Sequence, residues 1–224
     1  MEIKPIAKII TDFPTKFGIP RQSGLVERLT GEIVFEPDFQ NPNYIRGLEQ
    51  FSHLWLIWGF SENKVKAHGA TVRPPRLGGN TRLGVFSTRS PFRPNNLGLS
   101  AVKLEEIIDD GKGLRLLVSG CDMMSGTPIY DIKPYIPYSD SIPSALGGFA
   151  EENKAYRLEV EADESLLNKL PEEKRALVLD ILANDPRPQY QDDDERIYGF
   201  EFAGFEIKFR VLGGKAILEG IEKL

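Results

Sequence analysis

The segment from Arg73 to Ser100, RPPRLGGNTRLGVFSTRSPFRPNNLGLS, concentrates residue types that handle anionic ligands. Arginine and asparagine supply oriented donors and acceptors, proline fixes the backbone, and glycine lets a ligand approach the chain closely. Between Asn63 and Leu104 there is no Asp or Glu, while Lys64, Lys66, Arg73, Arg76, Arg82, Arg89, Arg93 and Lys103 contribute eight positive charges. The net charge of the chain is −5, so everything outside this stretch carries −13. Arginines clustered on an acidic chain point to an anionic partner more strongly than an evenly basic composition does. The planar guanidinium matches phosphate and carboxylate with two bonds at once and stacks on bases. The competing reading is a solvated face whose arginines pair with acids elsewhere in the fold.

Three further loops have chemical content. Pro20-Arg21-Gln22-Ser23-Gly24 is one, with an ordinary surface turn as the plain alternative. Asp122-Met123-Met124-Ser125-Gly126-Thr127-Pro128 is the second; its Ser-Gly-Thr-Pro part is suited to placing N–H groups and hydroxyls around a carboxylate or ribose, or to forming a plain β-turn. Asp131-Ile132-Lys133-Pro134-Tyr135 follows at once, with Lys133 placed to pair with Asp131. Asp185-Pro186-Arg187-Pro188-Gln189-Tyr190 is the third, presenting an acid, an arginine and a phenol on a stiff backbone. The aromatic stretch Phe51–Phe60 contains Trp55 and Trp58, which suit base stacking, but a run apolar on both faces reads first as a buried strand, with His53 structural. No Gly-x-Ser-x-Gly elbow supports a serine hydrolase, and the acid run Asp192–Glu195 reads as a solvated loop.

The elements that must position these loops are mostly strands. Gly31–Phe35, Ser52–Phe60, Leu83–Phe86, Leu97–Leu104, Leu114–Ser119 and Tyr156–Glu161 read as short strands between Gly/Pro-rich turns, which favours a barrel or sandwich. No Gly-x-Gly-x-x-Gly follows a strand, so the Rossmann route to a nucleotide cofactor is absent. Ser139 to Asn153 reads as a linker or loop. Pro171 opens a helix whose first turn carries Glu172 and Glu173 and whose apolar stripe is Leu177, Val178, Ile181 and Leu182; Pro186 ends it and drives Asp185 out of helical geometry. Phe205–Leu212 and Lys215–Ile221 flank Gly213-Gly214 as a hairpin. The expectation is a mainly β chain with α+β character: a β-barrel-like domain over residues 1–144 and a small α/β domain over 145–224.

Composition narrows the classes. With 224 residues, 41% hydrophobic and 27% charged, the chain has material for a core without a staple. One cysteine, Cys121, and two histidines, His53 and His68, exclude an internal disulfide and lack the usual ligands for structural zinc, so no metal is expected. The longest apolar run, Leu54 to Phe60, is far short of the roughly 20 residues that span a bilayer, and the N-terminus lacks a signal-peptide pattern. A soluble cytoplasmic protein with no membrane contact is expected.

The motifs PRQSGLV (Pro20–Val26), RGLEQFSHLWLIWGF (Arg46–Phe60), TVRPPRLGGN (Thr71–Asn80), LGVFSTRSPFRPNNLGLS (Leu83–Ser100), SGTPIYDIKPYIPY (Ser125–Tyr138) and DPRPQY (Asp185–Tyr190), in this order, cover nearly the whole chain. With them the sequence resembles the TsaA-like (TrmO) family of S-adenosylmethionine (SAM)-dependent methyltransferases, which act on N6 of threonylcarbamoyladenosine beside the tRNA anticodon. The resemblance implies a non-Rossmann β-barrel that binds SAM, a small C-terminal domain and a homodimer whose partner loops complete each site. It implies a cofactor site of Pro20, Arg21, Gln22, Arg89, Leu99 and Ser125, Gly126, Thr127 and Pro128. The positions after the aromatic strand, Ser61 and Glu62, belong to that site too, although a His-Gln pair is familiar there in the family. DPRPQY is the family's tRNA-facing motif, with Asp185, Arg187 and Tyr190 as its exposed candidates. Methyl transfer is an in-line displacement, so alignment and exclusion of water are the main demands. N6 of the modified adenosine has a delocalised lone pair and an acidified proton, which calls for a general base, Asp185 or Tyr190. Arg187 or one of Arg73, Arg76 and Arg93 is the candidate cation for the substrate carboxylate, and the remaining arginines are the candidates for the phosphates of the tRNA anticodon arm. The alternatives are a SAM-dependent enzyme with another acceptor, a non-catalytic RNA-binding module, and a structural dimer without ligand.

Overall fold

The computed structural model describes residues 2–63, 69–74, 77, 80–152, 156–187 and 193–224. Six strands close into an antiparallel barrel: β1 (Ala7–Thr11), β2 (Thr30–Phe35), β3 (His53–Gly59), β6 (Leu97–Asp109), β7 (Leu114–Ser119) and β8 (Thr127–Pro134), in the spatial order β1-β2-β7-β6-β3-β8. The two-strand ribbon β4 (Thr71–Val72) and β5 (Leu83–Gly84) lies in the excursion between β3 and β6. A second sheet has the order β10-β11-β12-β9, from β9 (Glu159–Glu161), β10 (Tyr198–Phe202), β11 (Phe205–Leu212) and β12 (Lys215–Lys223). The expected mainly β, barrel-based, non-Rossmann architecture is borne out.

The barrel interior is filled by alternate residues. Ala7 and Ile9 of β1, Ile33 and Phe35 of β2, Leu54, Leu56 and Trp58 of β3, and Leu114, Leu116 and Val118 of β7 all point inward and are buried. Period-two alternation of this kind is what a closed sheet requires. β3 alternates too: Trp55 and Ile57 are half-buried on the outer face, and the Trp55 indole N–H donates to Asp140 at 2.9 Å. The reading of β3 as apolar and buried on both faces is therefore corrected, because an antiparallel barrel wall has only one inner face.

The second core is built mainly from β10, β11, β12 and the longest helix, with Val160 of β9 and Leu166 and Leu167 of a short helical turn packed against it. The longest helix runs Glu172–Ala183, with Pro171 at its N-cap and Glu172 and Glu173 in its first turn. Leu177, Val178, Ile181 and Leu182 are its buried stripe, as the spacing predicts. Residue 213 and residue 214 both adopt positive φ, the two-residue turn that glycine alone accepts without strain. The long β1–β2 connection joins this core rather than the barrel's: Phe13, Val26 and Leu29 pack with Phe200, Phe202 and Phe209. Asp12 also receives the Lys174 ammonium at 2.5 Å, and Arg28 pairs with Asp180 at 2.7 Å. The second sheet is thus attached at the end of the barrel where β1 finishes and β2 begins.

Two expected strands are shorter than read. Leu83–Phe86 is a strand only over Leu83–Gly84 and then tightens into a 3-10 turn at Val85–Ser87, and Tyr156–Glu161 is a strand only over Glu159–Glu161. Four strands, β1, β4, β8 and β10, were not read from the sequence.

Gly98 on β6 is needed for packing. A Cβ there would collide with the indole of Trp58, its partner across the β3–β6 ladder. Gly98→Ala should therefore lower stability by about 1–3 kcal/mol, the usual cost of overpacking a tight core. Chemical denaturation checks this; an unchanged midpoint would show that the indole can move freely.

Candidate functional site

The strand registers gather the candidate residues at one end of the barrel. β1, β3 and β7 finish there, and β2, β6 and β8 begin there, as the pairs Thr11↔Gly31, Thr30↔Ser119, Gly59↔Leu97 and Ile9↔Thr127 require. The loop carrying Pro20–Gly24, the Ser61-Glu62 step after β3, Arg89 and Leu99 around the start of β6, and the Ser125–Pro128 turn all project from that end. His53 begins β3 at the other end of the strand, exposed, with its Nδ1 2.9 Å from the Ser52 hydroxyl, and takes no part.

The Pro20–Gly24 loop divides its contacts. Pro20 is buried and, with Arg21, lines a small crevice against Ile181, Asn184, Asp185 and Pro186. Arg21 donates from Nη2 to the carbonyls of Asp185 at 3.2 Å and Arg187 at 2.8 Å. Gln22 turns the other way, and its side-chain carbonyl accepts from the Arg89 guanidinium. Gly24 fixes the end of the loop through its N–H to the Gly120 carbonyl at 3.0 Å.

Beneath Gln22 and Arg89 lies a carboxylate that was not among the expected site residues. Asp122 accepts from the Ser100 hydroxyl at 2.7 Å and from the Ser23 N–H, and Ser100 in turn accepts from the Trp58 indole N–H at 3.0 Å. Burial pushes the Asp122 carboxyl up to about 6, against the opposing pull of Ser100, the Ser23 N–H and the positive charge of Arg89. Its sequence signal was slight: one acid at the head of the Ser-Gly-Thr-Pro loop.

The Ser125–Pro128 segment is a β-turn whose donors are already engaged. Gly126 has a φ of 83°, and the N–H groups of Ser125, Gly126 and Thr127 bond to the carbonyls of Phe13, Ile9 and Met124. The Thr127 hydroxyl bonds to Met124 at 2.7 Å, and Pro128 is already within β8. Of the two readings of this loop, the structure has the β-turn: these N–H groups close the turn and tie it to β1. What the turn offers outward is the exposed Gly126 backbone, while the half-buried Ser125 hydroxyl accepts from the Thr11 N–H at 3.4 Å. Ser61 and Glu62 are exposed beside it, and Lys16 donates to the Glu62 carbonyl at 3.3 Å. Leu99 is 56% exposed although it sits on a barrel strand, and gives this end an apolar surface.

The arginine segment lies alongside. Arg82 bonds to the Thr71 hydroxyl at 3.1 Å and Arg93 to the Thr88 carbonyl at 2.9 Å, while Arg73 is exposed. Among the described residues Arg73, Arg82, Arg89 and Arg93 form no salt bridge with an acid, whereas Lys103 pairs with Glu105 at 2.8 Å. The reading in which these arginines pair with acids elsewhere in the fold is therefore not what the chain does at these four positions. Arg76, Lys64 and Lys66 lie outside the described residues.

The C-terminal motif is held differently from its expected exposed form. Asp185 is fully buried and has a positive φ of 51° directly after the helix. Its carboxylate accepts from Arg187 Nε at 3.0 Å and from the Tyr156 hydroxyl at 3.0 Å. The Arg187 side chain is only 11% exposed. The exposure expected of Asp185 and Arg187 is thus corrected: the acid is enclosed as the anchor of the segment, and the arginine folds back over it. Burial and the adjacent carboxylate push the Tyr156 phenol up. Tyr190 lies outside the described residues. Among the described residues, no group of three or more His, Cys, Asp or Glu is placed to hold a metal, and no helix is long and apolar enough to cross a membrane.

Family models agree with this layout. The model of the tRNA-methyltransferase O N-terminal domain matches residues 8–141, and that of the TrmO C-terminal domain matches residues 155–224. The chain belongs to the TrmO family. It is 37% identical over 218 residues to the tRNA (adenine(37)-N6)-methyltransferase of Escherichia coli K12, covering 94% of this chain and 93% of that one. A relative from Pseudomonas aeruginosa, named for S-adenosylmethionine-dependent methyl transfer, is 39% identical over 208 residues, 88% of this chain and 87% of its own. A crystal structure of TrmO from the same species superposes with a TM-score of 0.80 at 31% identity, covering 100% of this chain and 97% of that one. The groups at the barrel end fit the cofactor that the TrmO family implies: an exposed guanidinium that makes no salt bridge among the described residues, an amide, an exposed leucine and a carboxylate suit a carboxylate, a purine and a cation in one ligand.

Proposed function

We propose that this chain is a SAM-dependent methyltransferase that transfers a methyl group to N6 of adenine 37 of tRNA, with threonylcarbamoyladenosine as the acceptor. The observation that carries this reading is the convergence of the Gln22–Arg89 pair, Leu99 and Asp122 on the barrel end that also meets the Asp185–Arg187 segment through Arg21. Full-length similarity to the Escherichia coli tRNA (adenine(37)-N6)-methyltransferase supports it.

SAM bound here supplies an electrophilic methyl group on a sulfonium. Arg89 and Gln22 would hold its carboxylate end, and Leu99 would cover its apolar surface. Ser61, Glu62 and the Ser125 and Gly126 backbone border the pocket. Asp185 and Arg187 fix the segment that leads to Tyr190, and Arg21 clamps that segment to the cofactor loop. Because Asp185 is enclosed and already accepts two hydrogen bonds, the proton-accepting role at N6 falls to Tyr190. Arg73, Arg82 and Arg93, with Arg76 in the same segment, hold anticodon-arm phosphates. The active form is a cytoplasmic homodimer in which loops of the second copy close the pocket over the exposed Leu99.

Calorimetric titration with SAM, together with tRNA binding at increasing salt, tests this reading. Saturable SAM binding is expected, and contacts from Arg73, Arg76, Arg82 and Arg93 to four phosphates give a slope of log K against log salt of about −3. A chain that binds tRNA with this slope and does not bind SAM contradicts the methyltransferase reading.

A further inference from the structure

Asp122 lies among the cofactor-site groups, and its own hydrogen bonds are made to the chain. It is a half-buried carboxylate between two loops, satisfied by the chain itself. Ser100 on β6 holds one oxygen at 2.7 Å, and Ser100 is fixed by Trp58 on β3. The Ser23 N–H, from the loop that carries Gln22, also donates to it. One residue on, Gly24 bonds to Gly120 at the end of β7, so the loop and the Asp122 segment are joined twice. The guanidinium facing Asp122 is that of Arg89, which in turn holds Gln22.

We propose that Asp122 is a positioning residue of the cofactor site: its charged carboxylate seats the Pro20–Gly24 loop through Ser23 and orients Arg89, and protonation releases both. The proposal rests on the reading of this end as a SAM site, and extends it to a residue and a pH dependence. The physical cause is desolvation. An ionised carboxylate at this depth is held against its own tendency to take up a proton, with the carboxyl pushed up to about 6. A carboxylate charge kept against such desolvation is a mark of function rather than of stability. When the carboxylate takes a proton, the bond from Ser23 and the attraction to Arg89 weaken together. The other groups against it do not compete in this range: Cys121, its chain neighbour, has a thiol pushed far up by burial and stays neutral, and Ser23, Ser100 and Trp58 do not titrate.

The test measures SAM affinity of the full chain by calorimetry from pH 8 to pH 5, for the wild type, Asp122→Asn and Ser100→Ala. The wild type is expected to lose about tenfold in affinity on acidification, with a midpoint near 6. Asp122→Asn is expected to bind weakly throughout and to show no midpoint. Ser100→Ala removes a bond that favours the charged form, so its midpoint moves to higher pH. The same proteins without SAM are followed by amide hydrogen exchange at Ser23, which should exchange faster in Asp122→Asn. Wild-type affinity in Asp122→Asn, or the wild-type pH profile retained in it, overturns the proposal. If Asp122→Asn does not fold, an unshifted midpoint in Ser100→Ala overturns it. Faster Ser23 exchange with no SAM binding in any protein supports the positioning role and overturns the cofactor reading, whereas unchanged Ser23 exchange overturns the positioning role itself.

Discussion

Arg187→Ala should destabilise the chain by about 3–5 kcal/mol, because it leaves a carboxylate in the interior without its cation. Asp185 is fully buried, and its partners are Arg187 and the Tyr156 hydroxyl. A neutral phenol cannot balance an enclosed charge. The double variant Asp185→Ala/Arg187→Ala should lose much less than the sum of the two single variants, since the pair fails as a unit. Denaturation of the four proteins measures this cycle. Transfer to tRNA should be lost in Arg187→Ala, whereas SAM affinity should stay within about threefold of wild type, because the Gln22–Arg89–Asp122 cluster is built from other side chains. Additive losses would show that Asp185 and Arg187 do not anchor the segment together.

Arg89→Ala should have the opposite signature. Its side chain is exposed and bonded to the Gln22 amide, so the fold should change by less than about 0.5 kcal/mol. Losing a charge-assisted bond to the cofactor carboxylate costs about 1.5–3 kcal/mol, or roughly 10–100-fold in SAM affinity. Arg89→Lys should recover only part, because an ammonium cannot bond to an amide and a carboxylate with the same fixed fork. Calorimetry and thermal melting separate affinity from stability here. A melting temperature that falls together with affinity would mean that Arg89 holds the loop rather than the ligand.

Sequence patterns captured the elements whose signals are local. The helix was legible because Pro171, Glu172, Glu173 and the Leu177–Leu182 stripe all agree, and the last hairpin because Gly213-Gly214 permits only a tight turn. β8 was missed because Pro128, Asp131 and Pro134 are poor strand residues. It forms because β1 and β3 lie on both sides of it, more than 70 residues away in sequence, and satisfy its backbone. β1 is only five residues long and carries Lys8 and Thr11, so its alternation was too brief to register. The shortening at Leu83–Phe86 follows from Gly84 and the 3-10 turn that leaves Phe86 exposed.

The candidate site was legible in outline, since arginine, asparagine and proline mark the loops that converge at one barrel end. Its internal roles were not. Which way Arg21 points depends on Asp185 and Arg187, 164 and 166 positions later. Whether Asp185 is exposed depends on Tyr156, 29 positions earlier. Asp122 is one acid among 33, and only the approach of Ser23 and Ser100 distinguishes it from the rest. Burial and pairing across the fold are tertiary properties, and residue type at a position does not encode them.

Incubation of the purified chain with methyl-labelled SAM and two tRNA pools, one carrying threonylcarbamoyladenosine and one lacking it, followed by nucleoside mass analysis, identifies the methyl acceptor. A single added methyl group on the modified adenosine, in the first pool only, is the predicted result. Label on another nucleoside, or no label in either pool while SAM binds, would contradict the assignment of N6 of that adenosine as the acceptor.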